Sequence, residues 1–296
     1  MRRYAAPGAL VLAAFFFGVT FPLVHDALGD IQPFAYLVLR FAIAVVVLGP
    51  FAIAIGHRRG EDSRTLLRAG LIAGGLLAAG YVAQTVGLAL VSPSTSAFIT
   101  GLYVVLTPVV EGIVRRAVPP RAVIAGVLLA AFGLYLLTGA TVALGAGELL
   151  TLACAALFAV WIVYQGEYAN RLHPIPFTTV QMAVIVVVCL PPSAAQGVGH
   201  LTGLALFAAA FTGVFCSAVA LSLQVWGQRR LAPSRTALIL MLEPVFAGIA
   251  GYLNGERLSA VELIGAGVIL TGIAVAELAA TSRVRRDRPE LEPHIF

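Results

Sequence analysis

Ten long apolar runs follow one another in this chain with few charges inside them, and that succession leaves few folds open. A helix crossing about 30 Å of hydrocarbon needs about 20 apolar residues. The runs fall at 7–25, 33–55, 65–90, 94–114, 120–140, 148–169, 175–192, 201–227, 233–253 and 259–281. Only 11% of the 296 residues are charged, against roughly 25% in water-soluble domains. The surface is therefore expected to face lipid. An open sheet there would leave edge N–H and C=O groups unpaired, and the alternation of a membrane β-barrel is absent from the runs. The expected fold is all-α integral membrane with ten transmembrane helices. Arg2 and Arg3 ahead of the run from Pro7 have the look of a secretory leader. The length of that run, and the nine behind it, read it instead as the first span.

Arginine sets the expected orientation. All nineteen basic residues are arginine, and there is no lysine. If the N-terminus is cytoplasmic, ten spans return the C-terminus to the same side. The cytoplasmic segments then hold Arg2, Arg3, Arg58, Arg59, Arg64, Arg68, Arg115, Arg116, Arg121, Arg171, Arg229, Arg230, Arg235, Arg283, Arg285, Arg286 and Arg288. Arg257 alone falls in an outer loop, and Arg40 falls inside the second span. This asymmetry is what the positive-inside rule asks of such a topology. The charged, Pro-containing tail at 282–296 is expected to be disordered in the cytoplasm.

The halves of the chain resemble each other. Gln84, Gly87, Pro93, Ser94 and Ala97 recur with identical spacing as Gln224, Gly227, Pro233, Ser234 and Ala237. Pro108-Val-Val-Glu-Gly112-Ile113 matches Pro244-Val-Phe-Ala-Gly248-Ile249, after four extra residues in the first half. Gly126 and Gly133 match Gly265 and Gly272. The expected division is 1–142 and 143–281, five spans each. Five is odd, so the second copy enters the membrane from the opposite side. Inverted repeats of this kind suit a carrier, because similar halves can exchange roles around one central site.

These residues carry a resemblance to a known family. The chain resembles the EamA-type members of the drug/metabolite transporter superfamily from about Ala9 to Ala280. The most specific stretch is Leu240-Met241-Leu242-Glu243-Pro244-Val245-Phe246-Ala247-Gly248, then Gly255-Glu256-Arg257-Leu258-Ser259 and Leu263-Ile264-Gly265-Ala266-Gly267. The opening span has an aromatic-Gly-x-x-Phe pattern, with Phe17 where the family usually has Trp, and Pro33 with Arg40-Phe41 is similar to the second-span pattern. The resemblance implies ten helices and two cytoplasmic termini in a bacterial cytoplasmic (inner) membrane. It also implies export of amino acids or similar small metabolites, with the aromatic amino-acid exporters the most similar members.

Polar and aromatic residues inside the spans are the candidates for contact with a transported molecule, since lipid penalises an unpaired polar group. Tyr81 and Gln84 share a face of the third span with Thr85. Thr100 and Tyr103 share one with Thr107, and Trp161 and Tyr164 share one with Gln165. Gln224 lies in the eighth span near Trp226, and Glu243 in the ninth. Each has an alternative reading as helix-to-helix hydrogen bonding or an interfacial aromatic belt. Glu243 is either a proton relay, a cap for backbone opened by Pro244, or a partner of Arg40. Pro22, Pro108 and Pro244 interrupt spans and are candidate hinges.

Absences narrow the function. Without lysine there is neither a Walker A phosphate loop nor a retinal Schiff base. Cys154, Cys189 and Cys216 have no paired spacing and read as small buried hydrophobes. No metal site, cofactor or nucleic-acid partner is expected, and none of the common hydrolase motifs occurs, so an enzyme is not expected. The partners are lipid and a small-molecule substrate, and a monomer suffices. Other solute classes, drug-like molecules included, and a channel stand as alternatives to amino-acid export.

Overall fold

A computed structural model of the chain describes residues 4–59, 62–91, 93–138, 145–253 and 259–286. Residues 139–144, Arg257, Arg2, Arg3 and the tail from 287 lie outside the described residues.

The described residues form helices, with one isolated bridge and no strand. In order they are α1 (Ala5–Gly18), α2 (Phe21–Ala27), α3 (Pro33–Arg59), α4 (Ser63–Leu88), α5 (Pro93–Gly101), α6 (Tyr103–Arg115) and α7 (Arg121–Thr138). Then come α8 (Ala146–Ala169), α9 (Pro174–Gln196), α10 (Gly203–Phe211), a π-helical stretch (Thr212–Ala220), α11 (Leu221–Gln228), α12 (Pro233–Leu240), α13 (Leu242–Leu253) and α14 (Ala260–Arg286).

Eight helical stretches are long and apolar enough to cross a membrane, from Ala5–Ala27 to Pro233–Ala250. Two shorter apolar helices, Arg121–Leu137 and Ala260–Ala276, fall below that length. They lie where the fifth and tenth spans are expected. Large apolar side chains such as Val46, Phe51, Leu71, Val187 and Leu263 point outward, where lipid rather than water suits them. The chain is a multi-pass helical membrane protein. α14 runs to Arg286, five residues past the expected end of the tenth span, because no proline stands in its way before Pro289.

Four stretches are discontinuous. α1 gives way to α2 at Val19–Thr20, α5 to α6 at Leu102, and α12 to α13 at Met241. The span from Gly203 to Gln228 has the π-helical segment at its centre. Pro22 and Pro244 stand just after two of the breaks, within the first turn of the new helix. Proline lacks the N–H that would bond the carbonyl four residues back and clashes with that carbonyl, so the disruption falls ahead of the ring. Pro108 lies inside α6, six residues beyond the break at Leu102.

Packing is closest where glycine removes the side chain. A Cβ at Gly126 would lie 2.5 Å from the Gly272 carbonyl, and one at Gly272 would lie 2.5 Å from the Gly126 carbonyl. Gly133 and Gly265 meet in the same reciprocal way, at 2.7 and 2.6 Å. α7 and α14 are thereby locked backbone to backbone, as small residues allow in membranes. α3 packs on α9, α4 on α8, and α1 on α11 and the π-helical stretch.

At one end of the bundle, Gln32 N–H donates to the Val198 carbonyl (3.1 Å) and His200 N–H to the Asp30 carbonyl (2.8 Å). Gly199 sits between them at φ +78, where a side chain would be strained and would strike Asp30. At the other end Asp62 caps α4, accepting from the N–H of Arg64 and Thr65. The Thr65 hydroxyl and the Arg64 N–H hold its carboxyl below the usual carboxylate range.

Candidate functional site

The discontinuities surround one chamber. It is a partly open cavity between α1, α2, α3, α4, α5, α6, α8, α11, α12 and α13. Phe17, Thr20 and Phe21 line it from either side of the break at Val19–Thr20. Thr100 and Tyr103 flank the break at Leu102, and Leu240 and Glu243 flank the break at Met241. Leu221 and Gln224 follow the π-helical stretch. On α4 the lining is Leu77, Tyr81, Gln84, Thr85 and Leu88, spaced three and four apart along one face of its second half.

Seven of the eight side chains singled out in the sequence therefore face one cavity: Tyr81, Gln84, Thr100, Tyr103, Trp161, Gln224 and Glu243. Tyr164 lies outside the lining, its ring 5.1 Å from that of Tyr168. Pro22, Pro108 and Pro244 are not in the wall of this chamber, though Pro244 borders a smaller adjoining space. Among their neighbours in the sequence, Thr85 also lines the cavity. The Thr107 hydroxyl instead donates to the Tyr103 carbonyl at 2.7 Å.

One wall is aromatic. Tyr81, Phe158 and Trp161, backed by the buried Phe41, form a chain in which Phe41–Tyr81, Tyr81–Phe158 and Phe158–Trp161 centroids lie 5.0, 5.3 and 6.1 Å apart. Edge-to-face contacts of this kind favour a fixed arrangement. Trp161 Nε1–H donates to Gln181 Oε1 at 2.8 Å, which turns the indole's polar edge toward α9 and leaves ring surface for the cavity. Phe158 occupies the space that Gly80 leaves open, with ring carbons 2.5 Å from where a Cβ would stand.

Polar groups punctuate this wall. Gln224 Nε2 is buried in the lining and has no hydrogen-bond partner among the described residues, whereas the Thr100 hydroxyl stands beside the Cys154 thiol. An unpaired buried donor is costly, at about 1–3 kcal/mol, so a molecule in the cavity would meet an amide waiting for a partner. Glu243 stands in the first turn of α13. Its backbone carbonyl packs against Gly18, where a Cβ would come within 2.3 Å.

Arg40 is the functional candidate that the sequence reading left unassigned. It is 6% exposed and lines the cavity. Its Nε donates to Ser217 Oγ at 2.9 Å and a terminal nitrogen to Tyr81 Oη at 3.4 Å. The guanidinium lies 4.9 Å from the Tyr81 ring centroid. The expected partnership with Glu243 is not a direct ion pair; both face the same chamber. The signal was present in the sequence as the one arginine inside a span.

The chamber has a polar floor on the side of the arginine-bearing helix ends. Gln165 Nε2–H donates to Gln228 Oε1 at 2.6 Å, and Gln228 Nε2–H donates to the Ile162 carbonyl at 2.9 Å. Farther toward the same ends, Glu111 accepts from the N–H (2.9 Å) and hydroxyl of Ser234 and pairs with Arg115 at 3.3 Å. Among the described residues no cluster of His, Cys, Asp and Glu is arranged to hold a metal ion.

Comparison with known proteins agrees with this architecture. The sequence is similar to three proteins of Archaeoglobus fulgidus described as uncharacterized transporters. One is 31% identical over 280 residues, covering 94% of this chain and 87% of that protein. A second is 26% identical over 269 residues, covering 90% and 94%. A solved crystal structure shares the fold with a TM-score of 0.74 at 21% identity, over 94% of this chain and 98% of that one. The sequence pattern of the EamA-like transporter family matches twice, at residues 6–139 and again at 145–277. The chain belongs to the EamA-like transporter family.

Proposed function

We propose that this protein is a secondary carrier that exports amino acids or similar small metabolites across the bacterial cytoplasmic membrane by alternating access. The observation that carries the reading is the convergence of three helix breaks and a π-helical segment on one cavity of mixed polar and aromatic lining. Broken helices around a central site are how carriers place backbone and side-chain groups where lipid would otherwise forbid them.

In this account the fold is two inverted five-helix repeats, 1–142 and 143–281, making ten spans with both termini cytoplasmic. Mirrored contacts support that division. A Cβ at Gly87 would lie 2.6 Å from Thr151 Oγ1 and 3.0 Å from the Gly147 carbonyl. Its counterpart Gly227 faces Leu10 and Ala6, on the first helix of the other half. The reciprocal Gly126–Gly272 and Gly133–Gly265 contacts are also exchanged when the halves are swapped.

Alternating access then has a physical form. On the arginine-rich side Gln165 and Gln228 join one turn beyond the cavity lining. Val24 and Leu88 line the opposite end of the cavity. Transport exchanges the hydrogen-bonded floor for an apolar seal between Val24 and Leu88, with bending near Pro22, Pro108 and Pro244. Tyr81, Gln84, Thr100, Tyr103, Trp161, Gln224 and Glu243 contact the substrate, and Tyr164 acts from behind the lining. The protein works as a monomer, without catalysis.

The test is counterflow in proteoliposomes preloaded with unlabelled amino acids. Accumulation of labelled amino acid against its own gradient supports the reading. Flux that rises linearly with concentration and shows no counterflow overturns it.

A further inference from the structure

Two half-helices meet at the arginine-rich end of the chamber, and a carboxylate joins them. Glu111, on α6, is 8% exposed, and its Oε2 accepts from the backbone N–H of Ser234 at 2.9 Å and from the Ser234 hydroxyl. Ser234 is the second residue of α12, which begins at Pro233 without a side-chain cap of its own. Glu111 therefore caps α12 from a neighbouring helix, supplying an acceptor to an N–H that the helix itself leaves unpaired. Its other oxygen pairs with Arg115 Nε at 3.3 Å, and a terminal nitrogen of Arg115 reaches Glu167 on α8 at 3.2 Å. α8 also meets α12 directly, since a Cβ at Gly166 would lie 2.9 Å from the Pro233 ring.

The opposite end of the chamber is built from the matching half-helices and lacks this cluster. In the sequence repeat α5 and α13 take the places of α12 and α6: Pro93 and Ser94 match Pro233 and Ser234, and Pro244 to Ile249 match Pro108 to Ile113. Ala247 stands where the first half has Glu111, and beyond Pro244 α13 carries no acidic residue. α6 packs on α12. Between α5 and α13 there is instead a small space bordered by Ala97, Gly101, Pro244 and Ala247. One end is tied together by a carboxylate, and the other has slack between its half-helices.

We propose that Glu111 is the latch of this carrier: it holds the chamber shut on the arginine-rich side, and because the other half has no counterpart, the state open to the opposite side is the resting one. To open toward the arginine-rich side, α6 must leave α12. That strips both Ser234 donors from the carboxylate and uncaps α12. Closing α5 onto α13 at the other end adds no charged hydrogen bond in return. A hydrogen bond to a charged group is roughly twice as strong as a neutral one, so the two states are unequal in energy. Arg115 follows Glu111 by four residues on the same helix, so their pair persists in either state and does not bias the exchange. This inference rests on the carrier reading and deepens it by naming a residue that sets the resting state without touching the solute.

The experiment uses the full chain with a cysteine at Leu221, which lines the chamber, in membrane vesicles of either orientation. The native cysteines are buried and give a low background. A membrane-impermeant maleimide is applied to one side or the other, and the ratio of the two labelling rates follows the ratio of the two states. With Glu111 and Ser234 intact, labelling from the side opposite the arginines should be the faster. Glu111→Ala should move the ratio toward the arginine-rich side by about tenfold or more, the scale of one hydrogen bond to a charged group. Glu111→Gln, whose amide oxygen still accepts from Ser234, should move it the same way by less. Ser234→Ala removes one of the two donors and should move it by about 2- to 10-fold, and it serves where Glu111→Ala fails to fold. In the Glu111→Ala background Ser234→Ala should add little, because both act through one contact.

Labelling that rises equally from both sides would mean that these residues only hold the fold, and the proposal falls. It falls also if the ratio is unmoved in Glu111→Ala and Ser234→Ala alike, or moves toward the other side. Counterflow of a solute under those outcomes leaves the carrier reading standing. A chamber that no variant opens to the arginine-rich side, together with no counterflow of any solute, brings down the carrier reading and the latch with it.

Discussion

Gln165 and Gln228 meet at 2.6 Å one helical turn beyond Trp161 and Gln224, which line the cavity from the same helices. Four residues advance a helix by one turn, so the pair closes the chamber immediately beneath its wall. α8 and α11 thus contribute to both the cavity wall and its floor.

The first prediction concerns this floor. Replacing both glutamines with leucine removes the hydrogen bond without leaving one partner stranded. The closed floor then loses about 0.5–1.5 kcal/mol, which is about a 2- to 10-fold change in population. A cysteine placed at Leu221 should react about 2- to 10-fold faster with a membrane-impermeant maleimide applied from the arginine-rich side. The native cysteines are buried and give a low background. Unchanged labelling would mean that the pair does not hold the floor shut.

A second prediction separates contact with the substrate from packing. Trp161→Ala and Tyr81→Ala should lower flux by about tenfold or more, as truncation of a buried aromatic anchor does. Membrane abundance should fall by less than flux. Equal loss of both would mark these residues as packing groups. Trp161→Phe keeps the ring but loses the bond to Gln181, and should give an intermediate flux.

The third prediction tests the α7–α14 lock. Gly133→Ala puts a methyl within 2.7 Å of the Gly265 carbonyl and the Ile269 nitrogen, both backbone atoms that cannot swing aside. A loss of about 1–3 kcal/mol is expected, from overpacking. It should be read as lower abundance and a lower melting temperature, with ligand affinity of the folded fraction unchanged. Gly8→Ala, which meets nothing within 4 Å, should be neutral.

A fourth prediction addresses the breaks. Pro244→Ala restores the N–H that can bond the Leu240 carbonyl and lets α12 run into α13. Flux should fall while substrate affinity and abundance change little. Full flux from this variant would show that the break at Met241 is held by tertiary packing.

Much of this architecture is legible in the sequence, and the failures have physical causes. The apolar runs locate the helices because lipid demands continuous internal hydrogen bonding, and composition reports that demand directly. Three- and four-residue spacing brought Tyr81 and Gln84 to one face. The same rule was too coarse for Tyr164: three residues past Trp161 is about 60° short of a full turn, enough to leave the cavity. Arg40 was visible as a lone charge in a span, but its neutral partners Ser217 and Tyr81 lie 177 and 41 residues away and only the fold brings them together. The π-helical stretch has an ordinary apolar composition, so nothing in it distinguishes π from α geometry before packing is known. Pro22 and Pro244 located two breaks to within a few residues, whereas Leu102 carries no local signal.

The central claim is that the chamber carries solutes rather than merely existing. Uptake of radiolabelled amino acids into proteoliposomes, with and without unlabelled competitor inside, tests it most directly. The account predicts saturable uptake that competitors suppress from outside and accelerate from inside. Uptake that neither saturates nor responds to internal substrate would contradict it.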